Sequence, residues 1–434
     1  MKVWVRGGWL MYRILSGPAP HPSKLARAPA RTDAVVRTSL TRCREEARKR
    51  TTVIRWAVLT GQYPPQAGGV SDYTRLVAEA LAAVGDEVVV YAPRQDKGPD
   101  LAPPGVRIRR LPDHFALRGL RWLDRELACD RPDRILIQYV PHAFGWKAMN
   151  VPFVAWALIR RVRRRDDVRV MFHEVAFPWV GRPLRYNVLA AVNRAMAAVL
   201  VQACTRAYVS TPSWVPLLRR LGAGRLPIAW APVPSNVPEA APTTAVAARR
   251  AELTCDDLSA RVACHFGTYG PWITRDLGPV VRELLDRRPD VRVLLLGSGG
   301  DRWRDELAGG RTDWQARVIA PGPLPAHLIA QNLRACDLVI QPYPDGASSR
   351  RGSLMAALAN GVPVVTTIGV LSEPVWSDGA VAAAPAGDPD RLARLAIELL
   401  DCPARLAELG LAGRRLYEDR FAIRHTIATL LDPT

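Results

Sequence analysis

The chain has 434 residues, of which 48% are apolar, and a formal net charge of +19. Its length fits about two domains with packed cores, and its apolar content excludes a disordered protein. Seven scattered cysteines, without a CxxC pair or a histidine at ligand spacing, exclude a structural zinc site and a disulfide framework. They favour a reducing compartment, so we predict a cytoplasmic protein. No apolar run is long enough to span a membrane, and the first residues lack a signal-peptide pattern.

Residues 1–52 are rich in arginine, proline and alanine with little periodicity, and we predict a basic, disordered extension. They contribute +9 of the net charge. The remaining excess suits a substrate with phosphate groups, or peripheral contact with an anionic membrane at its inner face. A nucleic-acid-binding protein is a further alternative. A basic tail without interleaved aromatic residues, however, gives no support for a specific nucleic-acid partner.

Residues 53–235 read as strands alternating with helices, the pattern of a Rossmann-like domain with a parallel sheet. The apolar segment 53–60 predicts the first strand, and an amphipathic helix follows it. Gly68 and Gly69 lie in the turn between them, where open α/β sheets bind ligands. The turn lacks the GxGxxG pattern of dinucleotide-binding enzymes. A simple chain reversal is the alternative reading of these two glycines.

Two histidines follow predicted strands of this domain. His173 comes directly after the strand at 168–172, with Glu174 next to it, and His142 follows the strand at 134–139. A neutral imidazole at this edge of a sheet can hydrogen-bond a substrate hydroxyl or share a developing charge. The alternative for each is a structural histidine.

A segment rich in proline and alanine, 236–259, predicts a linker, and a second Rossmann-like series follows at 260–415. Gly267 and Thr268 end its first strand. They can hold a phosphate through backbone N–H groups, or simply form the turn into the next helix. The predicted fold class is therefore α/β, with two doubly wound Rossmann-like domains facing a central cleft.

The stretch from Val339 to Thr367 predicts a strand, a polar loop, a helix of small residues and another strand. The polar side chains just before and at the start of the helix are Ser348, Ser349, Arg350, Arg351 and Ser353. A helix N terminus offers free N–H groups, and guanidinium groups beside it can bind paired phosphates. We predict an anion site for a diphosphate, and a solvated basic loop is the alternative.

Two motifs, YPPQAGGVSDYTRLVAEAL and ANGVPVVTTIGVLSEPVWSDG, resemble the amino-terminal glycine loop and the donor-site block of the family 4 glycosyltransferases. This family has the GT-B fold, and the resemblance covers roughly residues 53–430. It implies that a sugar is transferred from a nucleotide-diphosphate sugar with retention of configuration, without a catalytic metal ion or a cofactor. It also implies that the C-terminal segment, 416–434, crosses back to the first domain.

The residue patterns and the resemblance together assign roles to individual residues of this chain. His173 is the catalytic candidate, since it falls on the histidine that contacts the donor sugar. The donor-binding candidates are Gly68, Gly69, Gly267, Thr268, Ser348, Arg350, Arg351, Ser353 and Glu373. The acceptor-binding candidates are Tyr73, His142 and Glu174. The implied donor is a UDP-, GDP- or TDP-sugar, and the acceptor is a glycan, a lipid-linked molecule or a small molecule.

The chain departs from the family most seriously at one motif, and the arginine and lysine usual after the first strand of the second domain are also not clear, since only Arg275 follows there. The family commonly has two glutamates separated by seven residues, and this chain has Ser348 and Ala356 at those positions. Either Arg350 and Arg351 bind the diphosphate in a divergent enzyme, or catalytic power is lost. The alternative function is therefore a non-catalytic nucleotide-sugar-binding or partner protein on the same fold.

Overall fold

The computed structural model describes residues 52–95, 102–180, 184–239 and 241–432. Residues 1–51, nearly all of the predicted extension, lie outside these ranges. The described chain forms two α/β units, each built on one parallel sheet. The predicted fold class is confirmed.

The first sheet has seven parallel strands in the order β3-β2-β1-β4-β5-β6-β7. Helices follow most strands, so the central strands are almost entirely apolar and buried. The order reverses between β1 and β4, which places the loops after these two strands side by side. The strands are β1 Arg55–Thr60, β2 Glu87–Pro93, β3 Val106–Phe115, β4 Arg134–Tyr139, β5 Val168–Phe172, β6 Arg206–Val209 and β7 Ile228–Trp230.

The second sheet has six parallel strands in the order β10-β9-β8-β11-β12-β13. Its order reverses between β8 and β11, so the loops that follow these strands are neighbours. The strands are β8 Arg261–Phe266, β9 Val291–Leu296, β10 Val318–Gly322, β11 Leu338–Gln341, β12 Val364–Ile368 and β13 Ala382–Pro385.

The helices lie against these sheets and supply the crossovers between parallel strands. Those of the first unit are α1 Gly69–Ala83, α2 Leu117–Asp130, α3 Val151–Ile159, α4 Arg185–Ala203 and α5 Val215–Leu218. The remaining helices are α6 Thr243–Thr254, α7 Pro271–Arg287, α8 Gly300–Ala308, α9 Thr312–Arg317, α10 Ala326–Arg334, α11 Gly352–Ala359, α12 Pro389–Leu400, α13 Pro403–Arg420 and α14 Ile423–Leu431. None of the described helices is both long and apolar enough to cross a membrane.

The segment predicted as a linker contains helix α6. Leu253 of this helix is buried in the core of the second unit, and Arg250 donates to Asp337 over 2.6 Å. The helix is therefore packed on the second unit. Proline and alanine, which suggested a linker, are confined to the segment before it and to its weakly amphipathic surface.

The last helix, α14, packs on α1 of the first unit. Ile427 and Leu430 are buried in the same apolar cluster as Tyr73 and Val77. Arg169, from β5, donates to the carbonyl oxygen of Leu430 over 3.1 Å. The two units are thus joined by the C-terminal segment as well as by the chain between β7 and β8.

Candidate functional site

The loop between β11 and α11 lies at the carboxyl edge of the second sheet and is fixed by backbone contacts. The amide of Ala347 donates to the carbonyl oxygen of Thr367 over 2.7 Å. Gly346 has a φ of +89°, and a Cβ atom there would lie 2.2 Å from the amide nitrogen of Gly369. Only glycine fits this close approach, and the loop therefore sits directly on the chain that follows β12.

Arg350 and Arg351 share one carboxylate within this loop. Each guanidinium forms an ion pair with Asp345, which is itself buried. Burial would raise the pKa of Asp345, but the charges of Arg351 and Arg350 hold it below its usual value. Burial and the charge of Arg351 lower the pKa of Arg350. Two cations are therefore held together by one buried anion within the loop.

The first unit contributes a carboxylate to the same cluster. Glu174, two residues beyond β5, lies 3.6 Å from Arg350 as measured from Oε1 to Nη1. Arg350 also lies over the ring of Trp214, 6.0 Å from its centroid. The arginine predicted for the donor and the glutamate predicted for the acceptor are thus brought together across the cleft.

Glu373 lies beneath the arginine loop and is fully engaged by protein groups. Its carboxylate accepts hydrogen bonds from the backbone amide of Ser349 at 3.1 Å and from the indole Nε1 of Trp376 at 2.6 Å. The Ser349 hydroxyl also donates to it. In this arrangement Glu373 braces the loop.

Ser349 also connects the loop to the first unit. Its hydroxyl lies 2.8 Å from the carbonyl oxygen of Ser210, which follows β6. The indole of Trp230, in β7, donates to the same hydroxyl oxygen over 3.1 Å. A second connection is the 3.3 Å hydrogen bond from the Ser213 hydroxyl to the carbonyl oxygen of Leu371. These bonds hold the arginine loop against the carboxyl edge of the first sheet.

His173 is buried at the carboxyl end of β5. Its Nε2 lies 2.8 Å from Oε1 of Gln138, and its ring packs edge-on against Tyr73, with 4.6 Å between centroids. Burial lowers the pKa of His173 from 6.5 to about 3, so the imidazole is neutral near pH 7. With Gln138 accepting from Nε2–H, the lone pair of the ring is at Nδ1.

The backbone of His173 is held as firmly as its ring. Its carbonyl oxygen accepts hydrogen bonds from the Ser210 hydroxyl at 3.1 Å and from the Trp214 indole at 3.2 Å. Ser210 therefore binds both His173 and Ser349, and it connects the histidine to the arginine loop. Gln138, Ser210 and Trp214 were not identified from the sequence, because ordinary polar and aromatic residues near strand ends give no specific signal.

The two glycines of the first loop stand at the N terminus of α1. Gly68 precedes the helix, and a Cβ atom there would lie 2.9 Å from Oε1 of Gln62. Gly69 has open space around its Cβ position. No side chain caps the helix, and its first N–H groups lack intrahelical partners. The loop is therefore suited to the approach of an anion.

The remaining predicted residues are distributed around this edge. Gly267 and exposed Thr268 follow β8, next to the arginine loop in the sheet order. The Ser353 hydroxyl is 2.7 Å from the hydroxyl of Tyr343. His142 is exposed in a short turn after β4, beside the loop of Gly68 in the sheet order.

The two positions that lack glutamate are buried. Ser348 and Ala356 have no exposed surface, and Ala356 belongs to the apolar core of the second unit. The hydroxyl of Ser348 has no hydrogen-bond partner within the described chain. A carboxylate at position 356 would be desolvated by its neighbours, so the departure from the family motif extends to the packing beneath the loop. Nowhere in the described ranges do three potential metal ligands cluster.

Two family models match the two units in chain order. The model described as "Glycosyl transferase 4-like domain" matches residues 68–234, which include most of the first sheet. The model described as "Glycosyl transferases group 1" matches residues 271–402 of the second unit.

Among curated proteins, the chain is similar to a mannosyltransferase of Corynebacterium glutamicum, with 32% identity over 178 residues. That protein is named as a GDP-mannose-dependent monoacylated alpha-(1-6)-phosphatidylinositol monomannoside mannosyltransferase. The match covers 38% of this chain and 45% of the relative, so it spans less than half of the relative's length.

Solved structures resemble the chain over most of its length. Sucrose-phosphate synthase from Thermosynechococcus elongatus has a TM-score of 0.68 at 19% identity, over 86% of this chain and 96% of its own. HepE from Anabaena, in complex with UDP and glucose, has a TM-score of 0.64 at 15% identity, over 87% and 98%. WaaG, a glycosyltransferase involved in lipopolysaccharide biosynthesis, has a TM-score of 0.62 at 15% identity, over 87% and 100%. At these identities the likeness shows the fold alone.

Proposed function

The chain belongs to the family 4 glycosyltransferases, which have the GT-B fold, and we propose that it transfers a sugar from a nucleotide-diphosphate sugar to an acceptor. We further propose retention of configuration and no catalytic metal ion. The observation that supports this most directly is the contact between Arg350 and Glu174. This contact supports a diphosphate site beside the strand end that presents His173.

In the proposed reaction, Arg350 and Arg351 bind the diphosphate. Its oxygens compete with Asp345 for the two guanidinium groups, which are already oriented by that carboxylate. The bond between the anomeric carbon and the diphosphate oxygen breaks, and its electron pair leaves with the diphosphate. A single preorganised hydrogen-bond donor at a developing negative charge stabilises a transition state by about 3–4 kcal/mol in other enzymes.

The acceptor hydroxyl oxygen forms the new bond to the anomeric carbon. Its proton passes to an oxygen of the departing diphosphate, since a histidine with a pKa of about 3 is a poor base. His173 instead accepts a hydrogen bond through Nδ1 from a hydroxyl of the donor sugar. This role requires a neutral ring held in one orientation, which Gln138 provides.

The donor and acceptor classes are proposed from the relatives. The mannosyltransferase relative is named for a GDP-mannose donor and an acylated phosphatidylinositol acceptor, and a UDP complex is known for HepE. We propose a GDP- or UDP-sugar as donor, and a lipid-linked acceptor ahead of a glycan or a small molecule. The reaction would then take place at a membrane surface on the side that faces the donor pool.

A second function, nucleotide-sugar binding without catalysis, is favoured by the buried Ser348 and Ala356 where the family has glutamates. A donor panel separates the two. Isothermal titration with UDP-, GDP- and TDP-sugars measures binding, and mass spectrometry of the same mixtures measures transfer or slow hydrolysis of the donor. Binding with turnover supports the enzyme, and binding without either product over days supports the second function. No binding of any donor would contradict both.

A further inference from the structure

Two neighbouring helices of the first unit have apolar outer faces. On α3 and the turn that extends it, the outward residues recur at spacings of four, four and three, and on α4 at four, three and four. Such spacing places them on one side of each helix. They are Val151, Ala155, Ile159 and Val162 on the first, and Leu184, Val188, Ala191 and Ala195 on the second. Val162, Leu184 and Val188 are 68%, 70% and 63% exposed, so the described chain leaves them largely uncovered.

These faces form one surface, which we call the basic–apolar surface. Helices α3 and α4 pack against each other, and they connect the adjacent strands β4, β5 and β6, so both lie on the same side of the sheet. A half-exposed indole borders α4, where Arg194 lies 4.4 Å from the ring centroid of Trp179.

The charge on this surface has one sign. Residues 151–165 and 184–203 contain no aspartate or glutamate. Arg160 is buried and paired with Asp124 and Asp166. The next arginines, Arg163, Arg164 and Arg165, are exposed, and no ion pair is found for them within the described ranges. An apolar face thus ends in a cluster of uncompensated cations.

We propose that the basic–apolar surface docks on an anionic lipid bilayer. Apolar helix faces with arginines at their border enter the boundary between headgroups and acyl chains, and indole rings favour the same depth. The arginines would pair with lipid phosphates, and this electrostatic attraction grows with the fraction of anionic lipid. The lack of carboxylates on either helix removes the repulsion that such a membrane would otherwise exert.

Docking in this way also orients the cleft. The N terminus of α4 follows the loop that begins with Glu174, so Leu184 and Val188 lie at the carboxyl edge of the first sheet. Arg163, Arg164 and Arg165 lie at the opposite edge, just before β5. Both edges would rest on the bilayer, with the cleft beside the lipid headgroups. The inference concerns binding alone and does not depend on transfer activity.

Vesicle flotation with the full chain tests the proposal. We expect binding to phosphatidylglycerol vesicles and at least about tenfold weaker binding to phosphatidylcholine vesicles. The variants Val162→Glu/Val188→Glu and Arg163→Glu/Arg164→Glu should each weaken binding to the anionic vesicles by about tenfold or more. All four positions are exposed, so these changes should leave the thermal unfolding temperature close to that of the wild type.

Matched variants on the second unit control for charge and hydrophobicity. Leu258 and Leu411 are 98% and 61% exposed, and Leu258→Glu/Leu411→Glu should bind vesicles like the wild type. Arg302→Glu/Arg394→Glu, also at exposed positions, changes the net charge by the same amount as Arg163→Glu/Arg164→Glu. Equal losses in control and surface variants would overturn the proposal, because the attraction would then come from net charge. A wild-type chain that ignores anionic vesicles, with an oligomeric state that Val162→Glu/Val188→Glu disrupts, would assign the surface to self-association instead.

Discussion

The hydroxyl oxygen of Ser349, from the second unit, lies 2.8 Å from the carbonyl oxygen of Ser210, from the first. The same side chain contacts Glu373 and Trp230. Ser349 therefore links the two units, and it is itself held by Glu373 beneath the arginine loop. Both serines are fully buried. Polar contacts, together with the apolar packing of α14, therefore hold the two sheets in their relative position.

Replacing this hydroxyl should loosen the contact between the units. In Ser349→Ala, the buried carboxylate of Glu373 and the indole of Trp230 each lose a partner. Each group left unpaired costs about 1–3 kcal/mol, so the free energy of unfolding should fall by a similar amount. Chemical denaturation measures this change. Ser259→Ala, at an exposed turn with hydrogen bonds only to Asp257, is the control and should change stability little. Equal stability of the two variants would contradict the bridging role.

Arg351→Ala should weaken donor binding. A charge-assisted hydrogen bond contributes about 1.5–3 kcal/mol, which corresponds to a rise in Kd or KM for the donor of about 10- to 150-fold. Titration of the nucleotide diphosphate and steady-state kinetics give the two values. Arg302→Ala, an exposed arginine on α8, removes the same charge far from the loop. An unchanged Kd in Arg351→Ala would exclude this residue from the diphosphate site.

His173 should make stability depend on pH below neutrality. Its folded-state pKa is lowered by burial to about 3, whereas an unfolded histidine titrates near 6.5. Between these values the unfolded state binds one more proton, so stability rises with pH there. The contribution is fully present above about pH 6.5 and is lost towards pH 3, by up to ~1.4 kcal/mol per pH unit.

Other buried groups, including His265, act in the same direction, so the test compares slopes. Denaturation of the wild type and of His173→Gln between pH 4 and 6.5 should show a smaller slope for the variant. His142→Gln, at an exposed histidine, should keep the wild-type slope.

The proposed hydrogen-bonding role of His173 also predicts lower turnover in His173→Ala with donor affinity retained. Unchanged turnover would remove His173 from the mechanism.

Replacing Gly297 should destabilise the protein, because Gly297 packs closely on the loop after β8. A Cβ atom at Gly297 would lie 2.1 Å from the carbonyl oxygen of Gly267, and the φ of +119° is itself unfavourable for other residues. We expect Gly297→Ala to destabilise the second unit by about 1–3 kcal/mol. Gly270→Ala is the control, because no atom lies within 4 Å of its Cβ position. Thermal unfolding of both variants, with donor titration, measures the effect; equal melting temperatures would contradict it.

The sequence predicted the parts of the fold that depend on local pattern. The strand at 168–172 lies where its apolar run predicted it. The helix that begins at Gly352 ends just before Gly361, as its small apolar residues and that glycine predicted. Helix α6 lies in the segment whose composition predicts a linker, because its amphipathic pattern is weak and its packing on Asp337 involves residues distant in sequence. Elements with strong periodicity can be read from the chain alone, whereas weakly amphipathic ones are defined by what they contact.

The candidate site was predictable in location but less so in its contacts. The stretch from Val339 to Thr367 indicated an anion site, and Asp345 lies inside that stretch, so its pairing with the two arginines had a local signal of opposite charge. The contact between Ser349 and Glu373 had no such local signal in the sequence. It joins residues 24 positions apart, and only the register of β11 and β12 brings them together.

The packing of α14 on α1 also determines when the first unit can be completed during synthesis. The cluster of Tyr73 and Val77 is closed by Ile427 and Leu430, residues that leave the ribosome hundreds of positions later. A nascent first unit therefore exposes an apolar groove along α1 until the second unit has emerged. The packing of the first unit is therefore completed only after α14 has emerged, and the order of synthesis separates the two halves of this cluster.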